Sequence, residues 1–177
     1  MNRKQLIILL IVGGSLGVWK AVQELRANRH PVLATTEAFI GYASDQAVAD
    51  AAKCDHITLD YSVASLKQVD EILGRVHENY LKNPSSMSVR GLAAEYGAYV
   101  GEVIRRHEGN AYWTRDSQFA GEKSYPLHWN AGESYPLAWC ERRITDGDED
   151  SIWINYSVLK DPNWKQHLSG IVVKSKH

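Results

Sequence analysis

The stretch Ser88–Glu108, with the sequence SVRGLAAEYGAYVGEVIRRHE, decides most of the predicted fold. Its apolar residues return at helical spacing, its last turn is basic, and Gly109 follows as a typical helix stop. Small residues recur at every fourth position: Ala93, Gly97 and Gly101. Glycine inside a helix costs about 1 kcal/mol relative to alanine, so we expect another backbone to pack closely against this face.

A helix is also predicted directly before this stretch, from about Val63 to Leu81. Its apolar residues fall on one stripe, formed by Leu66, Val69, Ile72, Leu73, Val76 and Tyr80. Ser65 and Gln68 have the spacing of a capping box, with Ser62 as the alternative cap, and Pro84 follows the helix. Two antiparallel helices joined by a short loop are the simplest arrangement.

Three short segments have the composition of strands: Ile57–Tyr61, Ala111–Thr114 and Tyr125–Trp129. The last two should pair as a small antiparallel sheet. Further helices are predicted at Thr35–Ala52, Pro136–Ile144 and Ile152–Leu159. The predicted fold class is therefore α+β, with an N-terminal membrane helix, a helical hairpin packed with the small sheet, and C-terminal helices.

The N-terminus differs in character from the rest of the chain. Residues 1–4 are basic, and Leu6–Trp19 is an unbroken run of fourteen apolar or small residues. That length suits a secretory signal as well as a membrane span, which usually needs about 20 residues. The polar stretch after Lys20 offers no small-x-small cleavage site. We therefore predict an uncleaved anchor, with residues 6–22 in the lipid bilayer.

The anchor predicts a single-pass protein of a bacterial inner membrane. Basic residues lie on both sides of it, so the positive-inside rule barely discriminates between the two orientations. We predict a cytoplasmic N-terminus and a periplasmic domain, with a cytoplasmic domain as the alternative. Gly13 and Gly17 form a GxxxG spacing, which allows two helices to approach closely as a homodimer.

The predicted organisation is an anchor at 1–22, a stalk at 23–34, one α+β domain at 35–165 and a tail at 166–177. A hydrophobic content of 44% and a mean hydropathy of −0.36 are typical of a folded protein with a wetted surface. The formal net charge is −1, so there is no global basic field and nucleic acid is not an expected partner.

The two cysteines, Cys54 and Cys140, lack the paired spacing of zinc or redox sites. A disulfide between them is one expectation if the domain faces an oxidising compartment, and two buried free thiols are the other.

Three stretches, Leu59–Ser62, Gly97–Arg106 and Trp139–Ser151, resemble in their order small bacterial α+β proteins of the uncharacterised, domain-of-unknown-function kind. The resemblance covers roughly residues 57 to 160. Some proteins of this kind lie in toxin and immunity neighbourhoods, which implies a binding role. The resemblance implies no activity and no functional residue.

Motifs for metal or cofactor binding are incomplete in this sequence. Asp146, Asp148 and Asp150 occupy the first, third and fifth places of an EF-hand loop, but Ser151 and Ser157 stand where the loop needs glycine and glutamate. We expect these acids to cap the following helix instead. The seven histidines show no metal-ligand spacing, so no metal and no cofactor is predicted.

No catalytic motif is recognised either, and the nearest candidates are acid–base residues. Glu95 and Glu102 lie seven residues apart on one predicted helix face, as the paired carboxylates of a glycosidase would. Together with His107 they are the acid–base candidates of an envelope hydrolase. Glu102 can instead pair with Arg106, four residues later, on a solvated face.

Tryptophan and tyrosine are concentrated in the last third of the chain. Both favour interfaces because they combine a large contact area with a polar tip, although filling a thin core also requires bulky residues. If some are exposed, we expect Trp113, Tyr125 and Trp129 on the sheet to bind a partner, rather than Trp139 and Trp153 on helices.

Together, these features predict a membrane-anchored extracytoplasmic protein-binding module, with an immunity-type inhibitor of a toxin as its narrower form. The second hypothesis is an envelope hydrolase, and the third is an accessory subunit of a membrane complex. The sequence favours a binding protein over an enzyme, and the identity of the protein partner is not predicted.

Overall fold

The computed structural model describes residues 35–129 and 132–161. The predicted anchor, its GxxxG pair Gly13 and Gly17, the stalk and the tail lie outside the described residues. The described part contains five α-helices and three strands: α1 Thr36–Asp50, α2 Ser65–Lys82, α3 Val89–His107, β1 Tyr112–Trp113, β2 Leu127–Trp129, β3 Gly132–Ser134, α4 Pro136–Thr145 and α5 Ile152–Lys160. None of these described helices is both long and apolar enough to cross a membrane.

Helix α1 confirms the first predicted helix. The Thr35 hydroxyl accepts a hydrogen bond from the Ala38 amide and caps its first turn. Small residues dominate its buried face, where Ala43 and Ala47 let α3 approach closely. The helix continues into a π-helical turn, Ala51–Asp55.

The segment Ile57–Tyr61 is not a strand, so that prediction was wrong. Leu59 is buried in the core, but the backbone of Tyr61 is left-handed with φ 60°. The Tyr61 amide donates to the Tyr99 hydroxyl at 2.8 Å. A side chain from α3 therefore supplies the hydrogen bond that a neighbouring strand would have supplied.

Helix α2 confirms the strongest amphipathic pattern and buries Leu66, Val69 and Leu73. The N-cap position of α2 is Ala64, and of the two proposed caps only Ser62 contributes, since its hydroxyl accepts from the Ser65 amide at 3.2 Å in the turn before the helix. The Ser65 hydroxyl instead bonds the Ser62 carbonyl, so the Ser65–Gln68 capping box does not form.

Helix α3 is the centre of the core, but its main neighbours are α1 and α4 rather than α2. A Cβ added at Gly97 would lie 2.7 Å from the Leu137 amide nitrogen, so the predicted close backbone is the start of α4. Gly101 instead faces the Trp113 indole ring, which a Cβ would overlap. Close packing on this face is thus confirmed, while tight packing within an α2–α3 hairpin is not.

The three strands form an antiparallel sheet in the order β1-β2-β3. The two predicted strands pair, and β3 was not foreseen. One cross-strand row places Trp113, Leu127 and Ser134 on the buried face. The neighbouring row places Tyr112, His128 and Glu133 on the outer face, since side chains alternate along a strand.

Helices α4 and α5 confirm the predicted C-terminal helices, and a polar contact joins them to α2. The Asp70 carboxylate accepts from Arg143 Nε at 2.9 Å, from Ser151 Oγ at 2.7 Å and from the Ile152 amide at 3.0 Å. Arg143 is buried in this contact. One carboxylate of α2 therefore orients both C-terminal helices.

The acids between α4 and α5 do not cap α5, contrary to expectation. Asp150 pairs with Arg142 and Asp148 pairs with Arg143, each at 2.9 Å. The cap of α5 is Ser151, whose hydroxyl accepts from the Ile154 amide. The guanidinium groups of α4 attract these carboxylates away from the helix end.

Candidate functional site

A cleft of about 750 Å³ lies between α1, the first half of α3, the start of α4 and the loop 115–125. Its apolar lining includes Phe39, Ala93, Ala94, Leu137, Ala138 and Trp139. Charged side chains from α3, the loop and α4 also line it: Arg90, Glu122, Lys123, Glu141 and Arg142. We call this feature the α3–α4 cleft.

Small residues on α3 are the reason that this cleft exists. Ala93 and Ala94 lie where larger side chains would fill the space, and Gly97 brings the α4 backbone against the same helix one turn later. Across the opening, the ring of Phe39 stacks on Tyr125 with 4.6 Å between centroids. The aromatic pair connects α1 to the loop 115–125 and forms one wall of the cleft.

The loop 115–125 has a defined internal structure. Ser117 and Gly121 exchange both backbone hydrogen bonds, and the Ser117 hydroxyl accepts from the amides of Phe119 and Ala120. The same hydroxyl donates to Glu133 at 2.7 Å. Phe119 lies at the tip of this turn and is 88% exposed. The Ser117 oxygen is thus occupied by structural hydrogen bonds, which does not suit a nucleophile.

Glu133 and Tyr135 attach this loop to the sheet and to α4. The Tyr135 hydroxyl donates to the same carboxylate oxygen of Glu133 that the Ser117 hydroxyl bonds. These two hydrogen bonds, led by that of Tyr135, hold the pKa of Glu133 below its usual range. Glu133 is therefore an anion at neutral pH, and the wall of the cleft depends on it.

The charged lining of the cleft is only partly neutralised. Arg142 pairs with Asp150 at 2.9 Å. Within the described part of the chain, the side chains of Arg90, Lys123 and Glu141 make no ion pair. Unpaired charges of both signs are therefore available to a ligand around an apolar floor.

The structure corrects the predicted exposure of two aromatic residues. Trp113 and Trp129 are only 6% and 8% exposed and belong to the core. Trp113 Nε1 donates to Glu102, and Trp129 Nε1 donates to Ser134, so even their polar tips are used internally. Of the three predicted partner-binding aromatics, Tyr125 alone lines the cleft.

The proposed acid–base residues are not brought together. Glu102 is buried and receives two hydrogen bonds from Arg105 at 2.8 Å, while its predicted partner Arg106 is 3.9 Å away. A ring nitrogen of His107 bonds the Tyr61 carbonyl oxygen. Neither residue, nor Glu95, lines the α3–α4 cleft.

The pKa values of the two glutamates shift in opposite directions. Burial raises the pKa of Glu95, and the nearby Asp50 carboxylate adds to this effect. Burial also acts on Glu102, but hydrogen bonds from Arg105 and Trp113 outweigh it and lower the pKa. Glu102 is therefore a structural anion, and its hydrogen bonds explain its place in the core.

Both cysteines are free thiols, Cys54 exposed and Cys140 buried. The expected disulfide is absent, and the alternative of two buried thiols holds for Cys140 alone. Across residues 35–129 and 132–161, no three His, Cys, Asp or Glu side chains are arranged to hold a metal ion.

Sequence reasoning missed most of the cleft. Phe39 lies within the helix predicted at Thr35–Ala52, and the loop 115–125 lies between two predicted strands, but no local pattern marks either of them as part of a site. The signal that could have pointed to the loop is Ser117 followed four residues later by Gly121, a turn-forming combination. No protein-family model, curated protein or solved structure matches the chain.

Proposed function

We propose that this protein is a membrane-anchored extracytoplasmic binding module whose α3–α4 cleft receives a segment of a protein partner. The observation that carries the proposal is the cleft itself, in which an apolar floor is surrounded by charges of both signs that pair with no other residue in the described part of the chain. Protein interfaces share this anatomy, with an apolar centre and a polar rim.

The size and composition of the cleft support a protein segment as the ligand. A volume of about 750 Å³ falls in the range of roughly 300–1,000 Å³ known for small-molecule pockets, which is also enough space for a few side chains of a partner segment. The stacked pair Phe39 and Tyr125 offers large contact area with few rotatable bonds, as interface hot spots do. Arg90 and Lys123 provide cations, and Glu141 an anion, with which a peptide can pair.

An immunity-type inhibitor of a toxin is the narrower form of this proposal. Such a protein must be held in the compartment where the toxin acts, which the predicted anchor would achieve. It must also bind one partner in a defined stoichiometry. A co-purifying partner that is toxic to cells lacking this chain would establish the narrower form.

Affinity purification of the intact, mildly solubilised protein from its own cells tests the proposal. The informative variant is Ala94→Trp, because the new indole would fill the cleft floor. Ala49→Trp is the matched control, since Ala49 is exposed on α1 and lines none of the described clefts. We expect a stoichiometric partner with the wild type and with Ala49→Trp, and its loss with Ala94→Trp.

A photo-crosslinking residue placed at Ala138 gives an independent readout of contact. Ala138 lines the cleft on α4, whereas the same residue at Ala49 points away from it. The proposal expects the partner to crosslink from position 138 and not from position 49. Equal capture of the partner by both Trp variants, together with crosslinking from position 49 alone, would refute the cleft as the binding site.

A further inference from the structure

The floor of the α3–α4 cleft follows the faces of two helices. Its lining on these helices includes Arg90, Ala93 and Ala94 of α3 and Leu137, Ala138 and Glu141 of α4. Residues three or four positions apart lie on one face of a helix, so each set forms a single stripe. The floor is therefore a groove between two helix surfaces.

The two helices run in opposite directions along this groove. They touch at Gly97, where an added Cβ would lie 2.7 Å from the Leu137 amide nitrogen. The groove is lined by residues that precede Gly97 on α3 and by residues that follow Leu137 on α4. Arg90 lies seven residues before Gly97, which corresponds to about 10 Å along the helix, roughly two turns. The groove therefore has room for about two turns of a bound helix.

The middle of the groove carries small side chains. Ala94 on α3 and Ala138 on α4 are both half-buried, and neither extends far from its backbone. Packed helices lie about 8–10 Å apart, and the distance depends on the side chains at the contact. Two alanines at the contact leave space for the larger apolar side chains of a third helix.

An extended segment suits this groove less well than a helix. A bound strand gains its affinity from main-chain hydrogen bonds to the edge of a sheet. None of the described strands lines the groove. In the middle of α3 and α4 the backbone groups bond within their own helix, so the groove offers a bound segment side-chain contacts.

Two opposite charges lie at the end of the groove that is far from Gly97. Arg90 is exposed on α3 and Glu141 is exposed on α4, and neither forms an ion pair within the described ranges. Arg90 is also in the first turn of α3, where the helix dipole disfavours a cation and where no acidic residue is present. A carboxylate brought to Arg90 by a ligand would be stabilised.

We propose that the partner segment received by the α3–α4 cleft is an amphipathic α-helix with an acidic flank. Its large aliphatic residues, at positions i, i+3, i+4 and i+7, face Ala94 and Ala138. A carboxylate on one flank pairs with Arg90, and a basic side chain on the other flank pairs with Glu141. This inference rests on the proposed partner-binding function and names the class of segment that the cleft receives.

Selection from an unbiased library of displayed peptides tests this inference without knowledge of the partner. The library carries random peptides of about 15 residues, roughly four helical turns. The target is the full-length protein in a non-ionic detergent, and Ala94→Trp serves to remove peptides that bind elsewhere. We expect the retained peptides to have aliphatic residues at helical spacing and at least one acidic residue. Proline-rich or alternating sequences, or no peptide that distinguishes the two proteins, would overturn the inference.

A synthetic copy of a retained peptide then reports its own bound conformation to the wild-type protein. We expect transferred nuclear Overhauser effects between successive amide protons and between the α-proton of residue i and the amide of residue i+3, as in a helix. Strong contacts between each α-proton and the next amide, without the i to i+3 contacts, would show an extended peptide and contradict the inference.

Charge reversal locates the acidic flank of the peptide. Arg90→Glu should weaken peptide binding, measured by fluorescence anisotropy, by about fivefold or more. Replacing one acidic residue of the peptide by lysine should restore binding to this variant, which a merely misfolded protein would not show. Arg75→Ala is the control, because Arg75 is a cation of α2 that lines none of the described clefts, and it should leave binding unchanged. Binding that ignores the charge at position 90 would refute the acidic flank.

The two proposals fail separately. If a natural partner co-purifies and crosslinks from position 138, but the retained peptides lack helical spacing or helical contacts, the helix inference is refuted and the binding function stands. If helical peptides bind as expected but no natural partner is recovered, the cleft stands as a helix-binding groove and the proposed function is refuted.

Discussion

The hydroxyl of Tyr99 accepts a hydrogen bond from the backbone amide of Tyr61, 38 residues earlier, at 2.8 Å. The same hydroxyl bonds the Ser65 hydroxyl at 2.7 Å. Tyr61 has a left-handed backbone that no sheet could pair, and its ring packs against the Tyr99 ring at 4.7 Å between centroids. The buried hydroxyl therefore defines the turn that leads into α2.

Removing this hydroxyl should destabilise the protein. Tyr99→Phe leaves the Tyr61 amide without its partner, and because this contact is partly buried we expect a cost of about 1 kcal/mol, the low end for an unsatisfied amide. Urea unfolding of the solubilised protein measures the loss. Tyr112→Phe is the matched control, because the exposed Tyr112 makes no hydrogen bond through its hydroxyl in the described structure, and it should be neutral. Equal effects of the two variants would contradict the role of Tyr99.

Replacing two helical glycines by alanine should change the stability of the protein in opposite directions. At Gly97 a Cβ would collide with the Leu137 backbone, so Gly97→Ala should cost about 3 kcal/mol or more. At Gly41 a Cβ meets nothing within 4 Å, so Gly41→Ala should stabilise the protein by about 0.5–1 kcal/mol through helix propensity. Thermal unfolding followed by circular dichroism distinguishes the two. A neutral Gly97→Ala would mean that α4 does not pack as described.

The buried ion pair between Asp70 and Arg143 should contribute far more to stability than the surface ion pair between Asp150 and Arg142. Arg143 is only 7% exposed in its side chain, and Asp70→Asn would leave that buried guanidinium without its main partner. We expect a loss of about 3 kcal/mol, the low end for a broken buried pair because Asp70 is partly exposed. Asp150→Asn breaks the more exposed pair with Arg142 and should cost about 1 kcal/mol or less.

Replacing Glu102 and replacing Glu95 should have opposite effects on stability at neutral pH, and both effects should depend on pH. The pKa of Glu102 is lowered on folding, so its contribution is present at neutral pH and is lost as the pH falls through its folded pKa. Glu102→Gln should therefore cost about 1–3 kcal/mol at pH 7 and progressively less in acid.

Glu95 provides the internal comparison for that experiment. Its pKa is raised by burial and then by Asp50, so its ionised form opposes folding at neutral pH. Glu95→Gln should stabilise the protein at pH 7, and the gain should vanish below about pH 4, where the glutamate is protonated in both states. Urea titrations from pH 7 to pH 3 measure both variants. If the effect of both variants on the free energy of unfolding changed with pH in the same way, the assigned pKa shifts of Glu102 and Glu95 would be refuted.

Cys54 tests the predicted membrane topology. Its thiol is exposed, whereas Cys140 is buried and burial raises the pKa of that thiol, so a maleimide should react with Cys54 first. With a membrane-impermeant maleimide, we expect labelling in intact spheroplasts. Cys54→Ser is the control and should abolish it. Labelling that appears only after lysis would place the domain in the cytoplasm.

Elements with a strong local pattern were predictable. Helix α2 has its apolar residues on one stripe, and α3 adds a stop at Gly109, so both follow from spacing alone. Pro136 marked the start of α4 for a similar reason, since proline suits a first helical turn. The close approach at Gly97 was also foreseeable, because two glycines on one helix face need a packing explanation.

Features that depend on distant residues were not predictable. The segment Ile57–Tyr61 has the composition of a strand, but the hydrogen bond that replaces strand pairing comes from the distant Tyr99. Trp113 is buried because Gly101 makes room for its indole, a fit that no local pattern contains. The cleft likewise arises from four elements, three helices and the loop 115–125, which spacing rules treat one at a time.

The turn closed by Ser117 and Gly121 contains two kinds of residue, those that hold its shape and those that do not. Its shape depends on the Ser117 hydroxyl, on Gly121 and on Glu133, whereas residues 118–120 between them have exposed side chains. Those three positions can diversify without a folding penalty. Substitutions at the tip around Phe119 can therefore change its surface without disturbing the fold, whereas substitutions at the residues that close the turn would also cost stability.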